Sequence, residues 1–229
     1  MRRLTLYLLS AGIWLAACGG PSTPTPTPTP TPDELLDRAG QAVLAMTSAE
    51  FALVREGTPA VLDPATGTSF DEVTGRYQAP DRVSATVKVT LFGSVVQLQM
   101  LWLPEGNYVT NPLTQAWTDA PADARFNGAA FFGPDGIAGV LQEGIQNVTL
   151  VGVETVEERE TYHLKGDAAG AQLAPLTGGA LAAGTLYPVD VWIDKAASNL
   201  VRLHIAEPDG NGWLIDLFGI NEPVEIKAP

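Results

Sequence analysis

The chain has 229 residues, with 13 Lys and Arg against 26 Asp and Glu and a formal net charge of −13. That balance argues against a nucleic-acid binder, whose affinity comes mainly from basic side chains on phosphates, and against electrostatic adsorption to an anionic membrane. A single cysteine excludes an internal disulfide framework, and the length suits one domain with a sizeable core.

The first segment reads as an export signal. Arg2 and Arg3 form a charged start, Leu4 to Leu15 an apolar run, and the small residues Ala16 and Ala17 precede Cys18. The run is shorter than the roughly 20 apolar residues a membrane span needs. Cys18 is either an incidental free thiol or the acceptor of a lipid anchor. Leu15-Ala16-Ala17-Cys18 resembles a bacterial lipobox, and the resemblance implies that Cys18 is diacylglyceryl-modified and becomes the first mature residue. Two acyl chains then hold the protein to the membrane. Loss of residues 1–17 removes Arg2 and Arg3 and no acid, leaving 11 basic against 26 acidic residues and a charge of −15.

Residues 18–32 form the lipidated cysteine and a Thr/Pro-rich linker. Alternating proline favours an extended chain of ~3.1 Å per residue, so the linker reaches about 40 Å. The folded domain is expected over 33–229. Its first element is a helix in DELLDRAGQAVLAM, with Leu35, Leu36, Ala39, Val43 and Met46 on one face and the acids Asp33 and Glu34 at its positive end.

Strands follow at 51–56 and 68–80. The next stretch, DRVSATVKVTLFGSVVQLQMLWL, has the period of a hairpin. Val83, Ala85, Val87 and Val89 alternate with polar residues, Phe92-Gly93-Ser94 turns, and Val96, Leu98, Met100 and Trp102 alternate again. Asn107 to Val109 follow a Pro104-Glu105-Gly106 turn. The middle, ADARFNGAAFFGPDGIAGVLQEGIQ, is rich in Ala, Gly and Phe, with a short helix expected over 135–145. Phe126, Phe131, Phe132, Ile137, Val140 and Leu141 there are either ordinary core that caps the sheet or a mobile lid over an apolar cavity. Strands return at VTLVGVETV and TYHLKGD, then a helix or loop at AAGAQLAPLTGGALAAG, then YPVDVWID, NLVRLHIAE and GWLIDLFGI. Every strand connection is short, which favours one large antiparallel sheet that twists and curls.

Catalytic constellations are scarce. His163 and His204 have no metal-ligand spacing to each other or to the cysteine and read as solvent-facing strand residues. Neither a nucleophile elbow nor a Walker loop occurs. Asp190 and Asp194 share a strand face, whereas a glycosidase pair needs carboxylates on facing elements. The acid clusters Asp33/Asp37 and Glu154/Glu157/Glu158 suit a solvated face. No enzyme, cofactor or metal is implied.

The segments APDRVSATVKVTLFGSVVQLQ, YVTNPLTQAW, FFGPDGIAGVLQEGIQNVTLVG, YPVDVWIDKAASNLVRLHI and IDLFGINEPVEIKAP, taken in order, resemble the LppX/LprG family of lipid-binding lipoproteins over the whole folded part. The resemblance implies an α+β fold like that of the LolA/LolB carriers: a large curved antiparallel β half-barrel with helices on its concave side. It also implies an apolar cavity for the acyl chains of lipids or glycolipids, carried or presented at the outer face of the bacterial cytoplasmic membrane by a monomer that stays anchored through Cys18. A membrane transporter would be a natural partner. The expected lining joins Val83, Ala85, Val87, Val89, Val96, Leu98 and Met100 of the hairpin to Leu36, Val43 and Met46 of the helix and to Phe131, Phe132, Ile137 and Leu141. The alternative is an envelope sensor or interaction lipoprotein of the same fold, with those side chains filling the cavity.

Overall fold

The computed structural model describes residues 29–229 apart from 64, 66, 121–127 and 129. Cys18, most of the linker and Phe126 lie outside the described residues.

The first helix, α1 (Pro32–Ala45), starts inside the Thr/Pro tract. The Thr31 hydroxyl accepts from the Glu34 N–H at 3.3 Å, and the Glu34 carboxylate accepts from the Thr31 N–H at 3.0 Å. This reciprocal capping box and Pro32 in the first turn satisfy donors that a helix start leaves open. The linker's last Thr-Pro pair is thus part of the fold. Leu35, Leu36, Ala39, Gly40 and Val43 form the buried face. A Cβ on Gly40 would stand 2.4 Å from the Gln142 side chain and 3.1 Å from the Ala138 carbonyl, so only glycine lets α1 approach this closely.

Twelve strands follow: β1 (Ser48–Glu56), β2 (Ala60–Asp63), β3 (Thr68–Gln78), β4 (Arg82–Leu91), β5 (Ser94–Leu103), β6 (Gly106–Thr110), β7 (Trp117–Asp119), β8 (Ile145–Val156), β9 (Arg159–Ala169), β10 (Leu186–Asp194), β11 (Leu200–Ala206) and β12 (Gly212–Phe218). They form one open, wholly antiparallel sheet in the order β7-β6-β5-β4-β3-β1-β12-β11-β10-β9-β8, with β2 paired to β3 off this path. The expected curved antiparallel half-barrel is the fold observed. Strands β2 and β7 were not anticipated; at four and three residues they are too short to display a period.

Between β7 and β8 lie a single turn at Ala130–Phe132 and α2 (Ile137–Gly139), which continues as a wide turn over Val140–Gly144. Helix α3 (Gly170–Thr177) joins β9 to β10 and ends on Gly178, whose φ of 62° is the left-handed cap glycine accepts readily. Among the described residues no helix is long and apolar enough to cross a membrane.

The helices do not spread evenly over the inner face. Helix α1 packs on β8, β11 and α2, and α3 packs on β9. The turn at 130–132 fills the middle of the sheet. Phe132 stacks on Tyr77 at 4.4 Å and meets Phe51 and Phe131 edge-on at 5.3 and 5.1 Å. On the outer face the C-terminal segment crosses β3–β5. Ile226 buries Leu101 and Leu103, its N–H donates to Gln78 Oε1 at 2.9 Å, and its carbonyl accepts from Arg82 at 3.2 Å.

Candidate functional site

One register row links the inner face across nine strands. It runs from Leu150 on β8 through Leu164, Val191, Leu203 and Ile215 to Leu53 on β1, then through Val73 and Val87 to Leu98 on β5. From Leu164 to Ile215 these side chains are fully buried. From Leu53 onward they line a cavity of about 760 Å³, within the usual range for a ligand site.

The cavity floor is β3 to β5: Phe70 and Val73, Val87, Val89 and Leu91, then Leu98 and Met100. Strands β6 and β7 add Val109, Thr110 and Thr118. One flank is Leu53 of β1 and Trp213 of β12. The mouth is framed by Leu62 of β2, Thr68, Asn111 and Pro112 of the β6–β7 loop, and the end of α3 at Leu176, Thr177 and Gly178. Among the described lining residues none is charged.

The polar lining atoms are largely committed to the backbone. Thr177 Oγ1 donates to the Leu173 carbonyl at 3.0 Å and Thr118 Oγ1 to that of Val109 at 3.1 Å. Thr110 Oγ1 accepts from the Gln99 N–H at 2.9 Å, and Asn111 Oδ1 accepts from the N–H groups of Leu113 and Thr114. The wall therefore presents methyl, methylene and ring surface.

Trp213 divides this cavity from a smaller polar recess. Its ring stacks on Phe70 at 5.6 Å, while its indole N–H donates to Glu207 Oε1 at 2.7 Å. Arg55 lies over the same ring at 5.1 Å and pairs with Glu207. The recess beyond, about 290 Å³, is lined by Arg55, Thr58, Glu207 and Asn211 among others.

The structure brings together Val87, Val89, Leu98 and Met100 of the expected lining on the cavity wall. Val83 and Ala85 face the same way but are buried further along β4, where Gly128 packs on Val83 and Trp102. Val96 shares that face, opposite Val89, and is not on the wall. Leu36, Val43 and Met46, with Phe131, Phe132, Ile137 and Leu141, belong to the packed core rather than the wall. The reason is position: their elements cover the β8–β12 half and the centre of the sheet.

Several wall residues escaped sequence reasoning. Phe70 and Val73 are three apart, so alternation assigns them to opposite faces. A register shift between Phe70 and Glu72 restores them to one face. Trp213 sat in a recognised strand, and its aromatic bulk beside a turn was the available signal.

His163 is not solvent-facing. It lies on the outer face with its side chain only 8% exposed. Trp192 stacks on its ring at 4.5 Å, and its two nitrogens meet Glu154 Oε1 at 2.8 Å and Asp190 Oδ1 at 2.6 Å. Trp192 also donates to Glu154 at 3.0 Å. These two hydrogen bonds, from Trp192 first and His163 second, hold the Glu154 carboxyl below its ordinary value. His204 is partly exposed beside Glu56 at 3.1 Å. Among the described residues no cluster of His, Cys, Asp and Glu suits a metal ion.

The model of the LppX_LprAFG lipoprotein family matches residues 31–226, from the cap of α1 to the C-terminal segment. In three dimensions the chain is similar to LprF from Mycobacterium bovis, with a TM-score of 0.70, 18% identity, and coverage of 87% of this chain and 99% of that one. It is also similar to the Mycobacterium tuberculosis lipoprotein LppX, with a TM-score of 0.61, 18% identity, and coverage of 85% and 97%. Identities this low speak for the fold alone. No curated protein matches the chain significantly in sequence. A family match that takes in every strand, together with the shared fold, establishes that the chain belongs to the LppX_LprAFG lipoprotein family.

Proposed function

We propose that this protein binds the acyl chains of a lipid or glycolipid in the cavity over β3–β6. Held at the outer face of the cytoplasmic membrane by a lipidated Cys18, it carries or presents them across the cell envelope. The observation that carries this reading is the cavity itself: about 760 Å³ of space among side chains of which none described is charged. The family and its fold are consistent with lipid binding.

The chemistry is transfer rather than reaction. Each methylene that leaves water for the cavity contributes ~0.8 kcal/mol, so about ten of them contribute roughly 8 kcal/mol before the cost of ordering the chain. The gain is non-directional, so selectivity follows cavity volume. The polar recess behind Trp213 is the adjoining place for a headgroup.

Native mass spectrometry of residues 29–229, which keep the Thr31 cap, tests the proposal. The expected result is an adduct of lipid mass released on denaturation. A clean apo mass with no thermal shift on adding diacyl or triacyl lipids overturns it and favours the interaction lipoprotein. Replacing Cys18 with Ala in the full chain is expected to remove the acyl mass and to weaken membrane partitioning; an unchanged mass would end the tether.

A further inference from the structure

The two ends of the sheet differ in charge. At one end lie the connections β3–β4 with Asp81, β5–β6 with Glu105, β8–β9 with Glu157 and Glu158, β10–β11 with Lys195, and the segment after β12 with Glu222. The opposite end holds the cavity mouth. There the connections β1–β2 (57–59), β4–β5 (92–93), β6–β7 (111–116) and α3–β10 (178–185) contain no charged residue at all. The uncharged runs extend into the elements, over 89–104, 106–118 and 168–189. Acids at this end include Asp63, which closes β2, and Glu207 and Asp209 on the β11–β12 turn, where Glu207 is paired with Arg55.

Large apolar side chains project from these uncharged connections and from β2 beside them. Phe92 at the β4–β5 turn is 82% exposed, Leu113 on the β6–β7 loop 92%, and Val61 on β2 58%. Each neighbours a wall residue in the chain: Leu91, Pro112 and Leu62. Single exposed hydrophobics are ordinary. Three around one apolar mouth, on β2 and two separate connections, form a collar.

We infer that this end docks on a lipid bilayer, with Phe92, Leu113 and Val61 entering the interfacial layer so that acyl chains pass between membrane and cavity without crossing water. Charge selects the occupant. A chain of net −13 is repelled by an anionic surface everywhere except where charge is missing. The neutral polar residues of the same loops, Asn111, Thr114 and Gln115, suit headgroup depth, and an aromatic tip suits the interface. The inference rests on the proposed cavity only for what docking delivers; the surface itself is a separate claim.

The test uses the full chain with Cys18→Ser, so that one introduced cysteine is the sole thiol and no acyl anchor holds the protein down. Phe92→Cys and Leu113→Cys at the mouth, and Ala196→Cys at the far end, each carry an environment-sensitive fluorophore. On adding phosphatidylcholine vesicles, emission from the first two is expected to rise and to be quenched by brominated acyl chains, with no change at the third. A further Phe92→Asp or Leu113→Asp, read from a Val61→Cys label, is expected to weaken vesicle affinity roughly tenfold or more. Labels at the mouth that stay aqueous overturn the inference. So does an equal response at both ends, which reports the leader segment, or a response to protein concentration without vesicles, which reports a second copy. Insertion of the mouth labels by a protein that carries no lipid in native mass spectrometry leaves docking standing and removes the cavity reading instead.

Discussion

The inner faces of β9–β12 and of β3–β5 carry the same kind of side chain in the same register row, yet one half is filled and the other hollow. Leu164, Val191, Leu203 and Ile215 meet the helical layer and are sealed from solvent. Val87 and Leu98, farther along the row, face open space. Apolar alternation therefore selects a face and says nothing of what covers it. Among the described residues, cover comes from α1, α2, the 130–132 turn, which reaches Phe51 and Tyr77, and Gly128, which packs on Trp102.

The sharpest way to break this comparison is to truncate one side chain in each half. Phe132, with ring contacts to Phe51, Tyr77 and Phe131, is in close-packed core. Phe132→Ala is expected to cost about 3–5 kcal/mol in urea unfolding. Leu98→Ala, which only enlarges a void already present, is expected to cost well under half as much. Equal losses would mean that the open half is packed like the closed one.

A smaller effect is expected where the halves meet. Gly75 on β3 lies beneath the Phe51 ring, and a Cβ there would stand 2.5 Å from the Ser84 carbonyl and 2.7 Å from Phe51 Cζ. Backbone cannot yield to it, so Gly75→Ala is expected to cost about 1–3 kcal/mol. Unchanged stability would show that Phe51 is free to move and that the seam between filled and hollow regions is soft.

Overfilling reverses the pattern. Val87→Trp or Leu98→Trp puts a ring into the cavity instead of the core. Stability is expected to hold, while displacement of about two methylenes of bound acyl chain lowers lipid occupancy roughly tenfold. Native mass spectrometry reads the occupancy. A folded variant with undiminished lipid would move the binding site away from β4 and β5.

The sequence revealed the faces better than the layers. The alternation over 83–102 put Val87, Val89, Leu98 and Met100 on the inner face, because each strand repeats every two residues regardless of its surroundings. The helix at 33–46 was equally plain from its apolar stripe and acidic first turn. Which strands the helices cover depends on contacts between residues far apart in sequence, and no local period records that. Hence Leu36, Val43, Met46 and the Phe131–Phe132 pair were assigned to the wall and belong to the core. Leu101 and Leu103 are buried on the outer face of β5 because Ile226 covers them from the far end of the chain. His163 reads from its polar flanks as solvent-facing and is buried instead, because Trp192, Glu154 and Asp190 on the two neighbouring strands cover it.

That His163 cluster supplies the smallest effect and confines it to the closed half. Glu154 on β8, His163 on β9, and Asp190 and Trp192 on β10 tie three strands together from outside, with Lys165 Nζ 3.3 Å from Asp190. The Glu154 carboxyl titrates below its ordinary value of 4.5 when folded, because Trp192 and then His163 donate to it. A carboxyl depressed by folding adds stability above its unfolded value and loses it as the pH falls through the lower folded value. The wild-type melting temperature should therefore drop more steeply below about pH 4.5 than that of Glu154→Gln, which has no charge to lose. Hydrogen exchange should place the loosening at β8, an edge strand, while amides of β4 and β5 around the cavity keep their protection. Parallel pH profiles for the two proteins, or simultaneous loosening of both halves, would show that the cluster adds nothing to the fastening of the closed half.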